Sequence, residues 1–312
     1  MKLLFKLLVI GSFVNGSFCK AQNNFSKSKL FILIEEPNKK IAEKLEPNEL
    51  IVYQKEIENY NLFLNKYVAQ CWKMEVKPEF VYKAAMDKII EEKNSNTLIL
   101  TNSKYNFNYA DYSSYKLSNK LYQAKDEVVE NYNKKQLPFR ATILELKRAD
   151  LPTTAAAVAT AVMPSIKQNE AALLYAVKSL ALQIDYKNKG TSEVQLMKMY
   201  IKNAPHLKEL TLLVDQQDLD EAAKAAFAAH YKLPFQLVDK VAVDNALLNA
   251  DQSKAVALVI PNADGSFIFK VVDAANMEIL GQTATIPPSE YYPALNNKIK
   301  INHLEDFTQY CD

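Results

Sequence analysis

Between residues 49 and 102 short apolar runs alternate with amphipathic stretches, and this alternation confines the fold to one built on a parallel sheet. In chain order it predicts a strand at Leu50–Gln54, a helix at Asn61–Met74, a strand at Glu79–Tyr82, a helix at Lys83–Glu92 and a strand at Thr97–Thr101. In the first helix Leu64, Tyr67, Val68, Cys71 and Trp72 fall at i, i+3, i+4, i+7 and i+8, a face wide enough to pack on a sheet. Thr97–Leu100 is the uninterrupted run expected of a strand covered on both faces. Parallel strands joined through helices make right-handed crossovers, which put helices on both sides of the sheet.

The same order returns at residues 209–262. Strands are expected at Leu210–Val214, Phe235–Val238 and Ala255–Ile260, with helices at Leu219–Tyr231 and Lys240–Asn249. Asn61, Ala69, Cys71, Trp72 and Lys73 fall opposite Asp220, Ala228, His230, Tyr231 and Lys232 at a constant shift, Asp87 falls opposite Asp244, and Thr97–Asn102 aligns with Ala257–Asn262. Agreement in element order, helix face and strand ends favours an internal duplication. The expected fold is therefore α/β, with two tandem related βαβαβ-type three-layer domains in thioredoxin-like or flavodoxin-like order. Their bounds are 22–188 and 189–312.

The segments around these units read less regularly. Leu30–Ile34 is a short apolar run that suits an edge strand, and Asn38–Leu45 a short helix. Tyr105, Phe107 and Tyr109 alternate with polar residues at strand period, followed by Tyr112, Tyr115 and Tyr122. Residues 124–136 read as a loop or short exposed helix, Phe139–Lys147 as a strand, and Ala155–Val162 as a short helix or packed loop. A long helix runs from Ser165 to about Asp185, opened by the capping-box spacing of Ser165 and Gln168. Its apolar side is Leu173, Leu174, Leu180 and Ile184. Thr191–Asn203 is a further helix, and Phe267–Asp273 and Met277–Gly281 form an antiparallel pair.

Residues 1–21 read as a secretory signal peptide. Lys2 and Lys6 supply the positive start, Leu3–Val14 is apolar but too short to span a bilayer, and cleavage is expected before Gln22. A lipoprotein acylated at Cys19 is the alternative. Cleavage removes three lysines and no acid from 38 basic and 36 acidic side chains, so the mature net charge is about −1. Arg140 and Arg148 are the only arginines, and no basic block is interleaved with aromatics, which argues against nucleic acid as a partner. Cys71 and Cys311 form no CxxC and no disulfide framework, although a single bridge between them stays open. The mature glycines Gly190, Gly265 and Gly281 are isolated, so no phosphate-cradling loop exists. No cofactor or metal is expected, and no stable transmembrane segment after cleavage.

Two groups of residues are binding candidates. Asp215, Asp218 and Asp220 cluster after the first strand of the second unit, where parallel sheets hold ligands. The plainer account is that Asp218 caps the next helix with Glu221 completing a box. Tyr105, Tyr109, Tyr112 and Tyr115 offer apolar bodies with polar tips, suited to a protein or glycan surface, or else they face the core of an edge hairpin. Of the histidines His206, His230 and His303, none has a metal-ligand neighbour, and His230 lies on the expected buried stripe. Glu35-Glu36 and Glu91-Glu92 read as solvated.

The order βαβαββα of the first half looks like a thioredoxin-like domain, but Cys71 lies near the helix end and the redox motif is absent. Leu50-Ile51-Val52-Tyr53, followed by Asn61 and Cys71-Trp72-Lys73, resembles uncharacterised exported proteins of Bacteroidetes-type bacteria, as does the Ala21-Gln22 junction. The resemblance implies a periplasmic or extracellular location. The expected function is non-catalytic binding or scaffolding. The alternatives are a hydrolase-type enzyme with its site at the strand ends near Tyr53, Gln54 and Asp215, and a degenerate thioredoxin-like chaperone or redox accessory.

Overall fold

The strand that opens the parallel core is the run at Leu30–Ile34, not the expected Leu50–Gln54. In the structure, a computed structural model that describes residues 25–106, 140–164, 169–262, 266–285 and 297–311, β1 is Lys29–Leu33. It pairs in parallel with β2 (Glu79–Val81) on one side and β3 (Thr97–Asn106) on the other. The run at Leu30–Ile34 is thus interior to the sheet rather than its edge. After a single turn of helix, α1 (Lys39–Ala42), the expected strand Leu50–Gln54 belongs to a long helix, α2 (Pro47–Cys71). Pro47 sits at the first helical position, where a missing N–H costs nothing. Ile51 and Val52 are 63% and 59% exposed. A β-branched run makes a strand only where a pleated, half-buried surface awaits it, and β1 already holds that place.

The first half continues through α3 (Lys83–Glu91) to β3, then β4 (Arg140–Arg148) and β5 (Ala159–Val162), both antiparallel to their neighbours. The sheet order is β2-β1-β3-β4-β5. Ala155–Val162, expected as helix or loop, therefore contains a strand. Ala159 and Ala161 point into the core and Thr160 out, a period-2 pattern masked by alanine's helical preference. Helix α4 (Glu170–Asn188) starts at Asn169, whose side chain accepts from the Ala172 N–H at 2.7 Å. The expected Ser165–Gln168 cap lies outside the described residues.

The second half opens with two short helices, α5 (Glu193–Met197) and α6 (Met199–Asn203), in place of one at Thr191–Asn203. Then come β6 (Thr211–Asp215), α7 (Glu221–His230), β7 (Phe235–Val238), α8 (Lys240–Leu248), β8 (Lys254–Pro261), β9 (Phe267–Asp273), β10 (Ile279–Ala284) and α9 (Ile301–Thr308). The strand order, β7-β6-β8-β9-β10, repeats that of the first sheet. Numbered within each half it is 2-1-3-4-5, the flavodoxin-like sequence of strands, here with the fourth strand reversed. The molecule is an α/β protein with two five-stranded mixed sheets, each with a parallel core and flanking helices.

The halves correspond in detail but not at every predicted point. Helices α2 and α7 end at the aligned Cys71 and His230, and α3 and α8 carry the matching ion pairs Lys83–Asp87 and Lys240–Asp244. Asn61 lies inside α2, whereas its aligned partner Asp220 caps α7. In register, Thr97 matches Lys254, since each pairs with the first residue of the central strand, Lys29 or Thr211. The expected match of Asn102 with Asn262 is therefore three places out of step.

Helix α4 joins the sheets. Ala171 through Val177 are all buried, as are Leu180 and Ile184, so the one-sided stripe read from the sequence is an all-round apolar surface. One side of α4 packs on α2 and the first sheet, and another on α8. A single core contains Leu144, Leu146 and Ala161 of the first sheet and Val256, Leu258, Ile260 and Val272 of the second. Asn169 also donates to Asp244 of α8 at 3.1 Å. The far face of the second sheet packs on α7 and α9 around Phe227, Phe269 and Phe307. Among the described residues no helix is long and apolar enough to cross a membrane.

Candidate functional site

The predicted acids stand where β6, the middle one of the three strands paired in parallel in the second sheet, ends. Asp215 is the last residue of β6, 4% exposed, and accepts from the Gln217 N–H at 2.9 Å. The cap of α7 is Asp220, which accepts from the Ala223 N–H at 2.7 Å. The expectation that Asp218 plays this part is thereby corrected. Asp218 ends a short 3-10 turn, Gln216–Asp218, and is half-buried. Burial first, then the charge of Asp215, pushes its carboxyl up to about 6, against the opposing pull of Lys240 and Lys298. Beside it lies an open depression of about 630 Å³ lined by Asp215, Gln216, Lys224, Asp239 and Lys298. Among the described residues no group of three His, Cys, Asp or Glu side chains could hold a metal ion.

The matching place in the first sheet is built differently. Tyr53 and Gln54 lie in α2, not at a strand end. Beyond β1 the backbone N–H and C=O of Glu35 each bond the side chain of Asn61 at 2.9 Å, and its carboxylate accepts from Asn102 at 3.0 Å. Glu35 is therefore engaged, not solvated as the sequence suggests, and only Glu36 is exposed. Burial first, then the Glu35 charge, raises the pKa of Tyr60. These groups satisfy one another.

The other expected residues do not converge. Tyr105 lies in β3 opposite Ala141, while Tyr109, Tyr112 and Tyr115 lie outside the described residues. His230 is not a core residue: its Nδ1 meets Glu305 at 2.9 Å near the surface. His206 approaches Glu209 at 3.2 Å, and His303 is buried against Phe269, so the three histidines serve separate places. Cys71 and Cys311 are not joined by a disulfide, and the Cys311 thiol donates to the Ala204 carbonyl at 3.4 Å. Burial pushes the Cys71 thiol up, with Lys178 opposing.

A site that the sequence reading missed lies between the two sheets. It is a cleft of about 440 Å³, within the range of small-ligand sites. Its floor is α4, with Tyr175, Leu182 and Tyr186. One wall is edge strand β5, the other is the inner face of β8, β9 and β10, and α5 and α6 contribute Leu196, Met197, Met199, Tyr200 and Asn203. The lining is mainly apolar. Tyr186, its hydroxyl pushed up to about 12 by burial and by Glu278, donates to Glu278 at 3.2 Å. On β9 the inward-facing positions are Ile268, Lys270 and Val272, and the Lys270 ammonium makes no hydrogen bond or ion pair with a described residue. A charged residue between two core positions of one strand face was the available signal. It was overlooked because the cleft's other residues come from six further elements, α4, β5, α5, α6, β8 and β10.

No family model, no curated relative and no solved structure matches the chain.

Proposed function

We propose that the protein is exported through residues 1–21 and acts there by binding, without catalysis, a small apolar ligand in the cleft between the two sheets. The observation that carries this reading is the cleft itself: apolar walls with a few polar side chains that bond no described residue, set where two layers meet and floored by the helix that joins them. Its rigid parts, α4 and the inner faces of the sheets, belong to one continuous core, so the walls are preorganised. The test uses residues 22–312 and the neutral dye Nile red. Saturable binding at one site per chain is expected, and Ser179→Trp, which fills the cleft from α4, abolishes it while the thermal melt is kept. Binding that is absent, or unchanged in Ser179→Trp, overturns the assignment. Export is tested by fractionating cells that carry the full chain or the chain lacking residues 1–21; equal distribution of both refutes it.

A second reading has one observation in its favour. A half-buried carboxyl raised toward 6 beside a buried aspartate, at the end of a central parallel strand, is an arrangement that acid–base enzymes use. Turnover of p-nitrophenyl esters, phosphates or glycosides that disappears in Asp215→Asn supports it, and no turnover in any class removes it.

A further inference from the structure

We infer that the ligand of the inter-sheet cleft is a small apolar carboxylic acid, held by Lys270; this rests on the cleft being the binding site. Lys270 stands on the inner face of β9 between Ile268 and Val272, both packed against the shared core. It is half-buried, and neither a carboxylate nor a carbonyl oxygen of the described residues pairs with it. A lysine ammonium is strongly hydrated, so holding it in an apolar wall without a partner is unfavourable unless an anion completes the site. Gln282, directly opposite it on β10, adds a side-chain amide to the same lining, and Asn203 adds another from α6, which packs on β10. Three groups able to donate hydrogen bonds thus line the cleft, two of them side by side on β9 and β10. Among the described residues no hydrogen bond or ion pair engages the side chain of any of them.

The other charge in the cleft does not cancel this. Glu278 is level with Asp273 on the ladder, three positions from Lys270, which places it about 10 Å along the strand. It already accepts from the Tyr186 hydroxyl at 3.2 Å. Between these ends the lining is Tyr175, Leu182, Met277, Ile279 and Met197. Flexible thioether side chains adapt to an apolar body of varied shape. An anionic head at Lys270 and an aliphatic or aromatic body toward Met277 fit this polarity, and a cationic head does not.

The experiment displaces Nile red from residues 22–312 with three ten-carbon probes: decanoate, decan-1-ol and decyltrimethylammonium. Decanoate is expected to displace the dye at the lowest concentration. Lys270→Met, which keeps the stem and removes the charge, is expected to weaken decanoate about ten-fold or more, as loss of a charged hydrogen bond does, and to leave decan-1-ol unchanged. Lys270→Arg should restore most of the preference, and the melts of both variants show whether the fold is intact. If decanoate and decan-1-ol compete equally and Lys270→Met changes neither, the carboxylate is refuted and the cleft stands as a neutral site. If decyltrimethylammonium competes best, the sign of the site is wrong. If Nile red itself does not bind, the cleft reading fails first.

Discussion

Replacing Asp218 by Asn should stabilise the protein at neutral pH and do progressively less as the solution is made acidic. In the unfolded chain this carboxyl titrates near 3.8, and in the folded protein near 6. The native state therefore holds a proton that the unfolded state has released between these values, and stability falls as pH rises through the window. Each pKa unit corresponds to about 1.4 kcal/mol, so the ionised Asp218 costs about 3 kcal/mol at pH 7.5 and about 1 kcal/mol at pH 4.5. Asparagine has a similar shape and no charge to desolvate. Urea denaturation of wild type and Asp218→Asn at both pH values isolates the difference: the variant's advantage should grow by about 2 kcal/mol from the lower pH to the higher. Lys240 and Lys298 are included in that balance, since both oppose the shift. An advantage equal at both pH values would refute the argument that burial beside Asp215 raises this group.

Four other outcomes are expected. Tyr231 is 1% exposed and its hydroxyl has no hydrogen-bond partner among the described residues, so Tyr231→Phe should raise stability by about 1 kcal/mol, seen as a higher urea midpoint. A Cβ added at Gly281 would lie 2.9 Å from the Phe307 backbone oxygen in α9, so Gly281→Ala should destabilise by about 1–3 kcal/mol and lower the melting temperature. Asn169→Ala removes both the α4 cap and the bond to Asp244, at a cost of about 1–2 kcal/mol; a loss no greater than that of an exposed substitution would show that neither bond matters. Cys71 should react with a thiol reagent more slowly than a free thiol at pH 7.5, because burial keeps it protonated, and Cys311 should react only on unfolding.

How far the sequence could be read is best seen in α2, β5 and the cleft. The periodic face from Leu64 to Trp72 is local information, and it placed the packing half of α2 correctly. Leu50–Gln54 misled because Leu-Ile-Val-Tyr satisfies strand propensity, while its helical state depends on Pro47 and on β1 having taken the strand position. Strand β5 was hidden by alanines, which favour helix when isolated and a strand only when β4 offers a partner. At the strand ends, Asp215 and Asp218 were legible as a cluster, but not which of the three acids would cap α7.

Local periodicity and turn chemistry thus determined, without coordinates, that this is an α/β protein with one strand-and-helix order used twice. Those signals act over a few residues and survive in any context that offers an apolar surface. Only the tertiary structure decided that the first two turns of α4 are buried on all sides between two sheets, that Glu35 and Asn102 meet across sixty-seven residues of chain, and that Lys270 faces a cleft. Each depends on which long-range surfaces pack together, and burial and charge pairing across such distances leave no periodic trace in the sequence.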